Sequence, residues 1–193
     1  MYWVEDLSPL PGHQSSTASA INQKGKVVGW LGSTPDLGGP HRACLWDNGV
    51  TVDLGVLPGF LSSQAYAIND GDEVVGRCDG PSSVGFIWTA KNGMQPLPPL
   101  PNFTDSVAWD INNAGKIVGN SIVVNVEPIL QSMVWENRQP VLFEVPDDKY
   151  ANPPASVALS INDGGVIAGW YGDNLGEGHL FPLVTEGRFL HKR

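Results

Sequence analysis

Ala20-Ile21-Asn22-Gln23-Lys24-Gly25-Lys26-Val27-Val28-Gly29 recurs three more times, with substitutions, along this chain. The other copies are Ala67-Ile68-Asn69-Asp70-Gly71-Asp72-Glu73-Val74-Val75-Gly76, Asp110-Ile111-Asn112-Asn113-Ala114-Gly115-Lys116-Ile117-Val118-Gly119 and Ser160-Ile161-Asn162-Asp163-Gly164-Gly165-Val166-Ile167-Ala168-Gly169. Each reads Ile-Asn, a short polar turn containing glycine, then a short aliphatic run ending in glycine. The four Asn residues lie 47, 43 and 50 residues apart. A period of this size marks a solenoid, a propeller or an array.

Working outward from the first copy gives the content of one unit. Ala18-Ser19-Ala20-Ile21 reads as a strand of small side chains, and Asn22 to Gly25 as a tight turn. Asn opens such a turn because its side chain bonds the backbone two residues on, and Gly closes it because it accepts positive φ. Lys26 to Trp30 is a second strand whose consecutive valines imply burial on both faces. A polar loop, 31–41, leads to a third strand, Arg42-Ala43-Cys44-Leu45-Trp46. Asp47-Asn48-Gly49 is a hairpin signal, and Val50 to Leu54 is the fourth strand. Units two and three repeat this with Gly85-Phe86-Ile87-Trp88 and Ser132-Met133-Val134-Trp135; in unit four, His179-Leu180-Phe181-Pro182 puts Pro where Trp is expected, and Arg188-Phe189-Leu190 closes the unit.

Four short strands per unit of about 45 residues match a propeller blade. The expectation is an all-β, four-bladed β-propeller with a four-stranded antiparallel meander in each blade. It forms a single domain over 1–193, with units at about 13–59, 60–101, 102–146 and 147–193 and with 1–12 as a closing segment. Tyr2-Trp3-Val4-Glu5-Asp6-Leu7 followed by Pro11-Gly12 resembles Val52-Asp53-Leu54 followed by Pro58-Gly59. The N-terminal strand is therefore favoured over Arg188–Leu190 as the strand that closes the ring and hides its edges.

The motifs resemble those of the HAF repeat family, whose pattern is roughly Ala-x-x-Ile-Asn-x-x-Gly-x-Val-Val-Gly, then His-Ala-Phe-Leu-Trp, then Asp-Leu-Gly-x-Leu-x-Gly. Val27-Val28-Gly29, His41-Arg42-Ala43-Cys44-Leu45-Trp46 and Asp53-Leu54-Gly55-Val56-Leu57-Pro58-Gly59 carry the resemblance, which covers nearly the whole chain. His-Ala-Phe is intact nowhere: Arg42 follows His41, units two and three lack the His, and His179-Leu180-Phe181 lacks the Ala. The resemblance implies an extracellular bacterial repeat protein and transfers no catalytic residue.

The 193 residues carry a formal charge of −9, with 11 basic and 20 acidic side chains. Clustered Lys and Arg are absent, which argues against nucleic acid and anionic membranes. No apolar run approaches the roughly 18 residues of a bilayer span. No signal-peptide pattern opens the chain. The expected location is extracellular or at the cell surface if an export signal was removed, and cytoplasmic otherwise. Cys44 and Cys78, in adjacent units, form one bridge or two buried free thiols. No P-loop, dinucleotide fingerprint, nucleophile motif or zinc spacing is present, so no cofactor, metal site or catalytic residue is assigned.

In a meander, the second-to-third strand loops and the links between units share one end. Here these loops are long and dissimilar, and varied loops on a regular frame are where binding resides. The candidate ligand-binding residues at that end are His13, Trp30, Asp36, His41, Asp79, Trp170, Tyr171, Asp173, Glu177 and His179. Trp30, Trp170 and Tyr171 could stack on a sugar. The histidines are read otherwise as turn or inter-unit residues, the acids as solvated loop residues, and Trp46, Trp88 and Trp135 as inter-unit packing. Asn69-Asp70-Gly71-Asp72-Glu73 lacks the ligand spacing of a calcium loop and reads as a turn. The leading functional expectation is a non-catalytic binding module for a carbohydrate or a protein. The alternatives are a hydrolase or lyase with acids or His near the axis, and a structural repeat domain of a larger surface protein.

Overall fold

The computed structural model of the chain describes residues 6–34, 39–123, 129–142, 155–172 and 178–184. Among them the regular structure is all β, and no helix is long and apolar enough to cross a membrane. Sheet one holds β1 (Ser15–Ile21), β2 (Val27–Gly32), β3 (His41–Asp47) and β4 (Val50–Gly55) in that order. Sheet two holds β5 (Ser62–Ile68), β6 (Val74–Asp79), β7 (Ser83–Thr89) and β8 (Gly93–Leu97). Sheet three holds β9 (Asp105–Ile111), β10 (Ile117–Val123), β11 (Ile129–Glu136) and β12 (Gln139–Leu142). Sheet four holds β13 (Ala155–Ile161), β14 (Val166–Gly172) and β15 (Gly178–Val184). Every pairing is antiparallel between consecutive strands, as the meander reading requires. A fourth strand for sheet four, expected at Arg188–Leu190, lies outside the described residues.

The turn after each first strand is fixed by its asparagine. Asn22 Oδ1 accepts from Lys24 N and Lys26 N, both at 3.0 Å, and Gly25 N donates to Asn22 O at 3.1 Å. Gly25, Gly115 and Gly165 take left-handed φ of 80, 76 and 77° at the closing position. In the second copy Asp72 occupies it, at φ 62°, so the glycine of that turn stands one residue early. An Asp tolerates this conformation better than most side chains, and its carboxylate is used: Asn22 Nδ2 (3.0 Å), Lys24 Nζ (3.2 Å) and Lys26 Nζ (3.2 Å) all donate to it.

The same asparagines join the sheets. Asn22 Nδ2 donates to Asn69 O, Asn69 Nδ2 to Asn112 O and Asn112 Nδ2 to Asn162 O, each at 3.1 Å. A parallel row follows one residue on, where Gln23 N donates to Asp70 Oδ1, Asp70 N to Asn113 Oδ1 and Asn113 N to Asp163 Oδ1. A third row joins the other end of the first strands. Ser63 Oγ accepts from Ala43 N, Ser106 Oγ from Gly85 N and Ser156 Oγ from Ser132 N, each at 2.9 Å. Three successive junctions thus repeat the same bonds.

Between these rows the junctions are apolar. Val28, Leu45, Leu54 and Leu57 meet Ala65, Ile68, Val74 and Phe86. Val75, Ile87, Leu97 and Leu100 meet Ile111, Ile117, Met133 and Trp135. Val118 and Val134 meet Ala158, Ile161 and Ile167. Each such side chain taken from water contributes about 1.5–3 kcal/mol, so a unit is stable only against its neighbours. The sheets converge on their first strands: β1 touches β5, β5 touches β9 and β9 touches β13, whereas among the described residues the outer strands β4 and β8 meet far less extensively. No contact of comparable extent joins β13 to β1.

Two sequence expectations need correction or delimitation. Strand pairing, rather than residue counting, sets which positions are equivalent. Ile167 faces Leu183 as Val27 faces Trp46, so Leu183 stands at the Trp position and Pro182 one place earlier. The same register matches His179 to Arg42 rather than to His41. The ring-closing strand expected at 2–7 lies mostly outside the described residues; Asp6 and Leu7 are described and belong to no strand. Residues 6–10 instead hold the place of a linker arriving from a preceding sheet. Ser16 Oγ donates to Leu7 O as Ser106 Oγ donates to Leu97 O, and Trp46 Nε1 donates to Ser8 O as Trp135 Nε1 donates to Pro98 O.

Candidate functional site

Each first strand carries a β-bulge, and the bulges build the candidate site. The register shifts between Ala18 and Ala20, between Ala65 and Ala67, between Ala108 and Asp110, and between Ala158 and Ser160. The extra residue is Ser19, Tyr66, Trp109 or Leu159. A bulge puts two residues opposite one and re-aims a side chain out of the ladder. The residues opposite are Gly29, Gly76, Gly119 and Gly169, where an added Cβ would lie 1.8–2.1 Å from the carbonyl oxygen of Thr17, Gln64, Val107 or Val157. Glycine is required at that crossing by the backbone, not by its own φ.

The extruded residues and their neighbours form an aromatic row across sheets one to three. Tyr66 and Trp109 are stacked, with ring centroids 4.9 Å apart and planes at 19°. Trp30 meets Tyr66 edge-on at 6.2 Å and 90°, and His41 lies 6.4 Å from Trp30. Polar groups hold the rings in place. Tyr66 OH donates to Gln64 Oε1 at 2.8 Å, Gln64 Nε2 is 2.8 Å from His41 Nδ1, and Trp109 Nε1 donates to Asn120 Oδ1 at 2.7 Å. Trp30, His41, Gln64, Tyr66 and Trp109 are all half-buried, so the row combines ring surface with accessible polar edges. Burial pushes the Tyr66 phenol up to about 12, with Arg77 and Asp79 biasing it in opposite directions. The phenol is thus a neutral donor at physiological pH. Arg77 Nε donates to the Asp79 carboxylate at 3.1 Å, and Ser83 Oγ donates to the same carboxylate at 2.7 Å.

The row brings together Trp30 and His41 from the sequence candidates, with Asp79 near enough to act on Tyr66. His13 sits beyond it, on the segment leading into β1, with Nδ1 buried and unbonded among the described residues. Trp170 and Tyr171 lie on β14, and Tyr171 packs against the third junction. His179 pairs with Tyr171 in backbone register on β15. Asp36, Asp173 and Glu177 lie outside the described residues. Gln64, Tyr66, Trp109 and Asn120 belong to the row and were not sequence candidates. Their signal is the first x of Ala-x-x-Ile, which reads Ser19, Tyr66, Trp109 and Leu159, two of the four being aromatic.

A cavity of about 300 Å³ opens at the tight-turn end, lined in each of the four repeats by Ile, Asn and the residue after Asn. Equivalent positions of all four sheets therefore surround one axis. Its polar groups are largely committed to the ladders; Asn113 Nδ2, for instance, donates to both Asp70 and Asp163 at 2.9 Å. Among the described residues no three His, Cys, Asp or Glu side chains gather closely enough to hold a metal ion. Cys44 and Cys78 are buried free thiols.

Neither a protein-family model nor a curated protein matches the chain. Among solved structures it is similar to a streptogramin B lyase, a β-propeller, with a TM-score of 0.50 and 14% identity over 93% of this chain. The chain spans 58% of the length of that protein. At this identity the likeness concerns the fold alone, and the fold is propeller-like: antiparallel meander sheets set around an axis with their first strands inward.

Proposed function

We propose that the chain is a non-catalytic binding module whose inner aromatic row takes a carbohydrate. The observation that supports this is the Trp30–Tyr66–Trp109 row, with Gln64 and His41 at its edges. Sugar rings present one C–H face and a rim of hydroxyls, and aromatic rings flanked by amide and imidazole groups match both. The four sheets serve as propeller blades, and the residues the bulges extrude differ from repeat to repeat. The repeat motif supports a place among HAF repeat proteins and, with it, a bacterial and extracellular setting. A hydrolase or lyase would draw on His41 or Asp79 as acid–base groups. His41 Nδ1 is engaged by Gln64 and the Asp79 carboxylate by Arg77 and Ser83, which favours binding over proton transfer.

A glycan array followed by titration calorimetry tests the reading. A glycan hit should lose about tenfold or more in affinity, roughly 1.4 kcal/mol, on Trp30→Ala. Tyr66→Phe keeps the ring, frees Gln64 and should weaken the same ligand more modestly. Unchanged melting of both variants would show that they fold. No glycan bound at millimolar concentration, or a glycan indifferent to both changes, sinks the carbohydrate reading.

A further inference from the structure

Arg77 stands beside the aromatic row with most of its donors unspent. On the second strands, Trp30 faces Thr17, Arg77 faces Gln64, Asn120 faces Val107 and Trp170 faces Val157, so these residues hold one repeat position. Trp30 belongs to the row, and Asn120 is tied to it by the bond from Trp109. Residues paired across a ladder share a face of the sheet, and on that face Gln64 reaches Tyr66 and His41. The Arg77 guanidinium therefore lies on the row's side of sheet two, near enough for its charge to act on the Tyr66 phenol.

The guanidinium is held along one edge and open along another. Nε donates to Asp79 Oδ2 at 3.1 Å and lies 3.1 Å from Oδ1. Ser83 Oγ donates to Asp79 Oδ1 at 2.7 Å and so keeps that carboxylate from turning away. Among the described residues Nη1 and Nη2 have no partner, and the Arg77 side chain is 31% exposed. The edge shared by Nη1 and Nη2 presents parallel N–H bonds, the arrangement that a carboxylate matches with both oxygens. An ion pair this exposed adds little to stability, so the fold gains little from an arginine where other sheets carry Trp or Asn.

We propose, building on the carbohydrate reading above, that the sugar held by the aromatic row carries a carboxylate, as hexuronic and sialic acids do, and that its acid group takes the Nη edge of Arg77. Asp79 is a positioning residue: it fixes the guanidinium from behind and leaves the Nη edge to the ligand. Its charge also narrows the ligand class. Arg77 and Asp79 together are neutral, so the bond comes from direction rather than from net attraction, and a doubly charged phosphate would meet more repulsion from Asp79 than a carboxylate does. Charges beyond about 8 Å are largely screened at physiological ionic strength. The −9 of the whole chain therefore opposes a polyanion far more than one acidic residue in an otherwise neutral glycan.

A glycan array of matched pairs tests this: hexoses beside their hexuronic acids, and galactosides with and without a terminal sialic acid. The array tells the two kinds of acid apart. In calorimetry on the best pair, the acid should bind at least about tenfold tighter than its neutral partner. Arg77→Gln should weaken the acid at least about tenfold more than the neutral sugar, with melting intact. Arg77→Lys keeps the charge but not the fork, and its loss should fall between native and Arg77→Gln. A neutral sugar bound as tightly as its acid overturns the proposal and leaves the carbohydrate reading standing. So does a preference for the acid that Arg77→Gln does not touch. No sugar of either kind bound at millimolar concentration overturns both.

Discussion

Replacing Asn69 by alanine should cost far more than replacing Asn162, although the two occupy the same place in the repeat. Asn69 is 4% exposed. Its Oδ1 accepts from Glu73 N at 3.0 Å, and its Nδ2 donates to Asn112 O at 3.1 Å and to the Glu73 carboxylate at 2.7 Å. Alanine strands the Glu73 N–H between two sheets and removes one of two donors from the Asn112 carbonyl, which keeps Gly115 N at 2.9 Å, while the Glu73 carboxylate can turn to water. At about 1–3 kcal/mol for the stranded group and about 0.5–1.5 kcal/mol for the lost bond, the loss is about 2–4 kcal/mol. For a chain of this size that is roughly 4–16 °C in Tm. The Asn162 side chain makes one exposed bond among the described residues, from Val166 N, so its loss should be about 0.5–1 kcal/mol. Urea unfolding followed by tryptophan fluorescence, extrapolated linearly, measures both. Losses equal to within about 0.5 kcal/mol would show that the asparagines matter only to their own turns, and the inter-sheet ladder would fall as an explanation of the repeat.

Gly76→Ala should destabilise by about 3 kcal/mol or more, because its Cβ would lie 2.0 Å from Gln64 O, a backbone atom that cannot step aside; urea melts check this, and a loss below about 1 kcal/mol would mean the bulge relaxes. Burial pushes the Cys78 thiol up to about 11 and the Cys44 thiol higher still; neither should react with a disulfide reagent at pH 8 until urea is added, and rapid native titration of either would contradict its burial. Burial alone would raise the Asp72 carboxyl, but bonds from Lys26 and Lys24 outweigh it and hold it below its ordinary value. A lowered folded value means stability that is present above the unfolded carboxyl range and lost as pH falls through the folded value. Asp72→Asn should therefore flatten the acid limb of the stability profile below about pH 4, an effect that added salt weakens. An unchanged acid limb would dismiss the Asp72 cluster as a contributor.

What the sequence disclosed was local. The Asn turn is legible because one side chain satisfies its own backbone, so Asn22 and its equivalents announce the start of every second strand wherever they occur. Strand count and order follow, since tight turns leave only a meander. Equivalence across a loop was not legible. Spacing alone does not tell where the third strand of unit four begins, and only pairing shows that Leu183 takes the Trp position. Ring size is not written in the turns. It depends on the angle between sheets, which the packing of side chains such as Val28 against Ala65 sets and no spacing encodes.

The aromatic row belongs to neither class, and the bulge explains why. A bulge exists only relative to a partner strand, so Tyr66 looks like any strand residue until Ala65 is seen opposite Gly76 and Ala67 opposite Val75. Once it is seen, the constraints divide cleanly. Carbonyl contact fixes the glycine across the ladder, and close sheet packing keeps the flanking positions small. The junction core fixes Ile68 and the ladder fixes Asn69. Tyr66 is released from the ladder, as are Ser19, Trp109 and Leu159. Side chains free of the frame are the ones that can differ between repeats without cost to it. A polar, two aromatic and an aliphatic residue there give the inner wall a chemistry that changes from sheet to sheet. On the proposed binding reading, that variation is what recognition of an asymmetric ligand requires.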